Sequence, residues 1–161
     1  MFEVLCRGGD SALGGDDFDH AIANWILERA GQECVGSNVA RQLMEIARGV
    51  KEQLSVNEVV DINVVTGCFS WSGQITNDIF HGLVDPLISK TVRACKRALR
   101  DAGLSVDDIN DVVMVGGSTR VPRVRDKVAA FFGATPMCDI DPDKVVAVGA
   151  SIQADVLAGN K

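Results

Sequence analysis

The chain of 161 residues has no apolar run near the roughly 20 residues that a membrane-spanning helix needs, which argues against a helical anchor and for a soluble protein. It also has no dense run of Lys or Arg. Its 16 basic residues are outnumbered by 22 acidic ones, for a net charge of -6, so a phosphate-backbone binder of DNA or RNA is not expected. There is no CxxC pair: Cys6, Cys34, Cys68, Cys95 and Cys138 are odd in number and widely spaced, so neither a disulfide framework nor a zinc site is indicated. A reducing, cytoplasmic compartment fits such cysteines, which are read as buried apolar residues. The amino terminus, MFEVLCRGGD, lacks the basic and apolar stretches of a signal peptide. Internal repeats and low-complexity tracts are missing too. His20 and His81 stand alone, with no Ser, Cys or ligand partner in a recognisable spacing, so no catalytic residue and no metal ligand is assigned.

What is present is an ordinary globular composition, 47% hydrophobic and 24% charged, enough for one domain or two small subdomains sharing a seam. Phe2 to Leu5 reads as a strand entered mid-course, and a strand beginning at residue 2 reads as the edge of an excised piece to which Met1 was added. A glycine-rich turn, RGGDSALGGDDFD, leads into a helix opened by Asp16 and Asp17, with Phe18, Ile22, Trp25 and Ile26 on one face and Gly31 as its stop. Ser37 is the expected N-cap of a second helix carrying Val39, Leu43, Ile46, Val50 and Leu54. Val60, Ile62 and Val64 alternate with polar residues as in a half-buried strand, and a turn at Ser70 to Gly73 completes a hairpin. Thr76 to Ala102 forms one or two helices, with Phe80, Leu83, Leu87, Thr91, Ala94, Ala98 and Ala102 on a stripe, Pro86 near the start of the second part and Gly103 as the stop. A strand at Val112 to Val115, the Gly116-Gly117 turn, a helix from Pro122 to Phe132 and another from Asp141 to Leu157 follow. Asp107, Asp108 and Asp111 form a solvated acidic turn. The order of elements is that of a domain interrupted by an insertion.

The segment VVMVGGSTRVP, Val112 to Pro122, combines an apolar strand, two glycines and a helix start. A base or ribose phosphate can lie against glycine backbone, and the amides of a helix start attract an anion. The same turn equally serves plain chain reversal. Asp141-Pro142-Asp143 has its own plain reading: Asp141 caps, Pro142 takes the first helical position and Asp143 complements the dipole. Trp25 and Trp71 read as packing residues.

Taken together, LGGDDFD, VVMVGGSTRVP and IDPDKVVAVGASIQAD resemble, in this order, the ATPase domain of the DnaK-type heat shock protein 70 chaperones, and the resemblance covers nearly the whole chain. It implies an α/β actin-like ATPase (ribonuclease H-like) fold of two lobes around a cleft, of which this chain resembles the second. Residues 14–84 would be an inserted outer α+β subdomain, and residues 1–13 and 85–161 the inner α/β subdomain. Gly15, Gly116, Gly117, Ser118, Arg120 and Asp143 match positions lining the adenosine and phosphate side of the cleft. ATP or ADP with magnesium is the implied cofactor. The family's two phosphate loops and catalytic lysine lie upstream of a strand like Phe2 to Leu5, so hydrolysis is not expected of this stretch by itself.

The family's adenosine-contacting helix carries Glu, two others, Lys, Arg, two others, Ser; here ARGVKEQLS keeps Lys51 and Ser55 but has Arg48 at the Glu place and Glu52 at the Arg place. A guanidinium stacks on adenine and a carboxylate does not, so a weaker hold on the nucleotide is expected. Arg48 and Glu52 are at pairing distance along a helix, worth about 0.3 to 0.5 kcal/mol at a surface. This exchange, with GGDSALGGDDFDH in front and ADVLAGNK behind, is more similar to the branch of the family specialised for iron-sulphur cluster assembly. The implied partners are the first lobe, a peptide-binding domain, a J-domain co-chaperone, and an iron-sulphur scaffold protein as client, which carries the cluster; by the resemblance Glu3 and Val4 lie near where the co-chaperone docks, although an ordinary sheet strand is the favoured reading of them. The rival readings are a small-molecule kinase of the actin-like superfamily, for which no substrate-pocket carboxylate is identifiable, and an actin-like filament protein.

Overall fold

A computed structural model describes residues 3–10, 13–33, 35–138 and 144–159, and shows a mixed α/β chain of two compact units, 1–103 and 104–161. In the first unit, α1 (Gly15–Arg29) starts where Asp17 accepts the Gly14 N–H at 2.6 Å, the reach-back half of a capping box. It ends at Gly31, whose φ of 65° is the left-handed stop that glycine adopts without a Cβ penalty. Phe18, Ile22, Trp25 and Ile26 are buried as the spacing requires, and Asp19 is buried among them.

The second helix, α2 (Ser37–Gln53), buries Val39, Leu43, Ala47 and Val50. Its N-cap is Gly36 and not Ser37, whose side chain makes no cap bond. Strands β1 (Val59–Val65) and β2 (Ser70–Thr76) form an antiparallel pair in which Val60, Ile62 and Val64 point inward opposite Ile75, Gly73 and Trp71. The reversal lies at residues 66–69, before the expected Ser70 to Gly73, because the Thr66 hydroxyl collects the amides of Cys68 and Phe69 and donates to the Phe69 carbonyl. That local network satisfies the turn's backbone groups and frees Ser70 onward for the ladder. Trp71 meets Trp25 of α1 edge to face, centroids 5.9 Å apart, so the tryptophans join sheet to helix as packing residues.

From Thr76, whose hydroxyl caps the Ile79 amide, α3 (Asn77–Asp101) runs unbroken through Pro86. Proline removes the bond to the carbonyl four residues back and crowds it. That residue is Gly82, exposed like Pro86, so water reaches the carbonyl and the helix continues. The buried stripe of α3 is Phe80, Val84, Ile88 and Ala94; Leu83 and Leu87 are half-buried and Thr91 is exposed, a correction to the expected face. Both α1 and β2 pack on this helix.

In the second unit, a 3₁₀ turn (Val106–Asp108) is capped by Ser105, and Asp107, Asp108 and Asp111 are exposed as expected. The strand expected at Val112 to Val115 is reduced to one parallel bridge, Val113 with Met137, held by two backbone bonds. Residues 3–5 likewise form no strand, and Glu3 and Val4 are exposed. An extended segment needs a neighbour for its N–H and C=O groups, and among the described residues neither segment has a full one. Then come α4 (Pro122–Phe132), stopped by Gly133 at φ 66°, and α5 (Val145–Leu157), which falls within the helix expected from Asp141 to Leu157. Asp141, Pro142, Asp143 and Cys34 lie outside the described residues. Cys6, Cys95 and Cys138 are half-buried and Cys68 is exposed, so none of these four is a core residue. Burial still pushes the Cys95 thiol above its ordinary value, keeping it protonated at neutral pH. Among the described residues no helix is long and apolar enough to cross a membrane.

Candidate functional site

The first unit brings together two residues that the sequence singled out, Gly15 and Lys51, across 36 positions of chain. The Lys51 ammonium donates to the Gly15 carbonyl at 3.1 Å and lies 2.7 Å from Oδ1 of Asp19. Asp19 is 1% exposed and Lys51 14%, so this pair is shielded from water. A buried carboxylate is tolerable only with such a countercharge. Ser55, one turn on, donates its hydroxyl to the Lys51 carbonyl at 3.3 Å, which ties it to the helix at the same level.

Arg48 does not pair with Glu52. Its Nη2 reaches Asp16 at 3.2 Å and its Nε lies 3.7 Å from Asp19, while Glu52 is exposed. Two carboxylates on the first turn and a half of α1 outcompete one carboxylate on its own helix, since Asp19 is already desolvated and gains most from a nearby cation. The Arg48-Asp16 bond, between side chains 61% and 78% exposed, contributes little and weakens with salt. The order of strength is therefore Asp19-Lys51 first and Arg48 second.

Asp19 is the residue that sequence reading passed over. Its signal was available: it lies three, four and seven positions before Ile22, Ala23 and Ile26, so a carboxylate falls on an otherwise apolar helix face. A shallow cavity of about 170 Å³ opens beside it, lined by Asp16, Asp19, Arg41, Met44, Glu45 and Arg48. That is below the roughly 300 Å³ of sites that enclose a small molecule. Neither it nor a cavity of about 250 Å³ near Arg7, Gly8 and Arg97 encloses a nucleotide.

In the second unit, Gly116 takes a φ of 91°, a conformation closed to most side chains, and swings the chain into a 3₁₀ turn, Gly117–Arg120. The Thr119 hydroxyl donates to the Gly116 carbonyl at 2.7 Å and sets the turn. A Cβ built on Gly116 or Gly117 would meet nothing within 4 Å, so the turn presents bare backbone to open space. Ser118 is half-buried and Arg120 exposed. Asp143, also assigned to this side, lies outside the described residues.

One glycine turn carries an anchored lysine, and the other presents bare backbone before a helix start. A family model described as Hsp70 protein matches residues 1–161, and the chain belongs to the Hsp70 family. It is 55% identical to the chaperone protein HscA of Yersinia enterocolitica and 53% to that of Escherichia coli O139:H28, in each case over the whole chain and 26% of the relative. The HscA homolog of Pseudomonas fluorescens is 51% identical over the same span. The chain thus spans about a quarter of the length of these curated relatives.

Proposed function

We propose that the chain is the second lobe of an actin-like nucleotide-binding domain, holding the adenosine side of ATP or ADP in a chaperone of the HscA kind. Residues 14–84 are its outer α+β subdomain and residues 1–13 and 85–161 its inner one. The observation that carries the reading is the contact of Lys51 with Gly15: two residues assigned to one ligand from separate motifs lie within a hydrogen bond of each other. An ammonium has three donors, of which one goes to the Gly15 carbonyl, while the Asp19 carboxylate pairs with its charge, so donor capacity remains for a ligand hydroxyl. The bare turn at Gly116 and Gly117 fits the flat face of a nucleoside or an anion, with Ser118 and Arg120 beside it in sequence and Asp143 assigned to the same side.

When bound, the nucleotide with its magnesium supplies the phosphoryl group whose hydrolysis drives the chaperone cycle. This lobe's own residues bind and orient: Lys51 and Ser55 from the outer side, the glycine turn from the inner. The groups that promote hydrolysis belong to the first lobe, and client grip to a peptide-binding domain. A J-domain co-chaperone and an iron-sulphur scaffold protein are the partners, in the cytoplasm. Glu52, exposed and unable to stack on adenine, leaves the base more loosely held than an arginine would.

The test is an amide NMR titration of the chain with ADP and magnesium. Shifts at Gly116, Gly117 and Lys51 are expected. None at millimolar ADP overturns the half-site as a binding unit of this chain by itself.

A further inference from the structure

Asp19 is the buried charge among the described residues of the first unit. Asp19 is 1% exposed, sits on the apolar face of α1 between Phe18 and Ile22, and has no hydrogen-bond donor among the backbone amides. An acid in such a place ordinarily costs stability, because two carboxylate oxygens lose their water. Among the described residues its compensation comes from α2: Lys51 at 2.7 Å on Oδ1 and Arg48 at 3.7 Å on Oδ2. An apolar residue at position 19 with an unburied lysine would pack the same interface without the desolvation cost. The arrangement makes sense as a device for holding the lysine.

Lysine has a flexible four-carbon stem and a point charge, so by itself it does not present a donor in one direction. Here the ammonium is fixed at two points that lie four residues apart on α1, the Asp19 carboxylate and the Gly15 carbonyl. Those contacts fix where the ammonium sits. Arg48 holds the other oxygen of Asp19 and so discourages the carboxylate from rotating toward solvent.

We infer that Asp19 is the positioning residue of the adenosine half-site: through its ion pair it holds the Lys51 ammonium beside the Gly15 carbonyl, in place to donate to a ribose hydroxyl. This rests on the assignment of Lys51 to the nucleotide made above. Asp19 touches no ligand; it acts through Lys51.

The test measures binding of ADP and of 2′,3′-dideoxy-ADP to the full-length protein and to its Asp19→Asn, Lys51→Gln and double variants. The amide replacements keep size and leave a neutral hydrogen-bonding pair. The unaltered protein is expected to prefer ADP by roughly tenfold, the value of one charge-assisted hydrogen bond. Lys51→Gln removes the preference, Asp19→Asn removes most of it, and the double variant is no worse than Lys51→Gln within about twofold. Should the asparagine variant fail to fold, Asp19→Glu reads the same preference with the charge kept and moved by one methylene. Equal weakening of both nucleotides by Asp19→Asn, with the preference intact, marks a purely structural carboxylate and overturns the inference alone. No preference in the unaltered protein, or none lost in Lys51→Gln, overturns the assignment of Lys51 and the inference with it.

Discussion

Gly73 and Asp108 show how single positions constrain this chain. Opposite Ile62 on the hairpin, Gly73 lies under the ring of Trp71, and a Cβ there would come within 2.6 Å of the indole. That indole is itself held edge-on by Trp25. Gly73→Ala must displace the Trp71 ring, an overpacking change that costs about 1 to 3 kcal/mol. Urea unfolding followed by tryptophan fluorescence measures it, and an unchanged midpoint would show the ring free to move. At the other unit's start, the Ser105 amide and hydroxyl donate to Asp108 at 2.8 and 2.6 Å. The side-chain bond, and then the backbone one, hold this carboxyl below its ordinary value of 3.8. A depressed acid contributes its stability above the unfolded-chain value and loses it as pH falls through the folded one. The gap in thermal midpoint between the unaltered chain and Asp108→Asn is thus expected at neutral pH, and should close in acid below 3.8.

At the scale of elements, the helices follow their local signals and the contacts between them do not. Glycine stops at Gly31 and Gly103, both with positive φ, lie where sequence places them, and Gly133 closes α4 in the same way, because a left-handed residue after a helix is a local requirement. The alternation of Val60, Ile62 and Val64 likewise survives, since a period of two is a property of the strand. What was not legible was the exchange of partners on α2. Arg48 and Glu52 have the spacing of a helical pair, yet Arg48 turns to Asp16, 32 positions away, because α1 brings acids that its own helix cannot match. The Lys51 and Gly15 assignments were legible only as separate motifs, and Asp19 was passed over although it falls on an otherwise apolar helix face.

For the molecule as a whole, burial is uneven. The core residues Ile22, Ile26, Leu43, Val64, Ile75, Val84 and Ile88 all belong to the first unit, whereas the second buries Val121, Val124 and Val128 around α4 and leaves α5 exposed along its described side chains. Local opening is cheapest where few apolar contacts close over the backbone. Amide hydrogen exchange should therefore find α1, α2 and the hairpin protected, with α5 exchanging fastest of the helices. Protection of α5 equal to that of α1 would contradict this distribution.

The amino-acid sequence by itself determined the helix spans, the half-buried strand, the glycine turns and the family, because each depends on residues close together in the chain or on motifs in order. The tertiary structure decided which charges meet. Asp19 takes Lys51 and Arg48, and Gly15 receives the same lysine, only because two helices pack face to face and exclude water between them. Desolvation gives a buried carboxylate first claim on any cation within reach, and reach is set by packing and not by spacing along the chain.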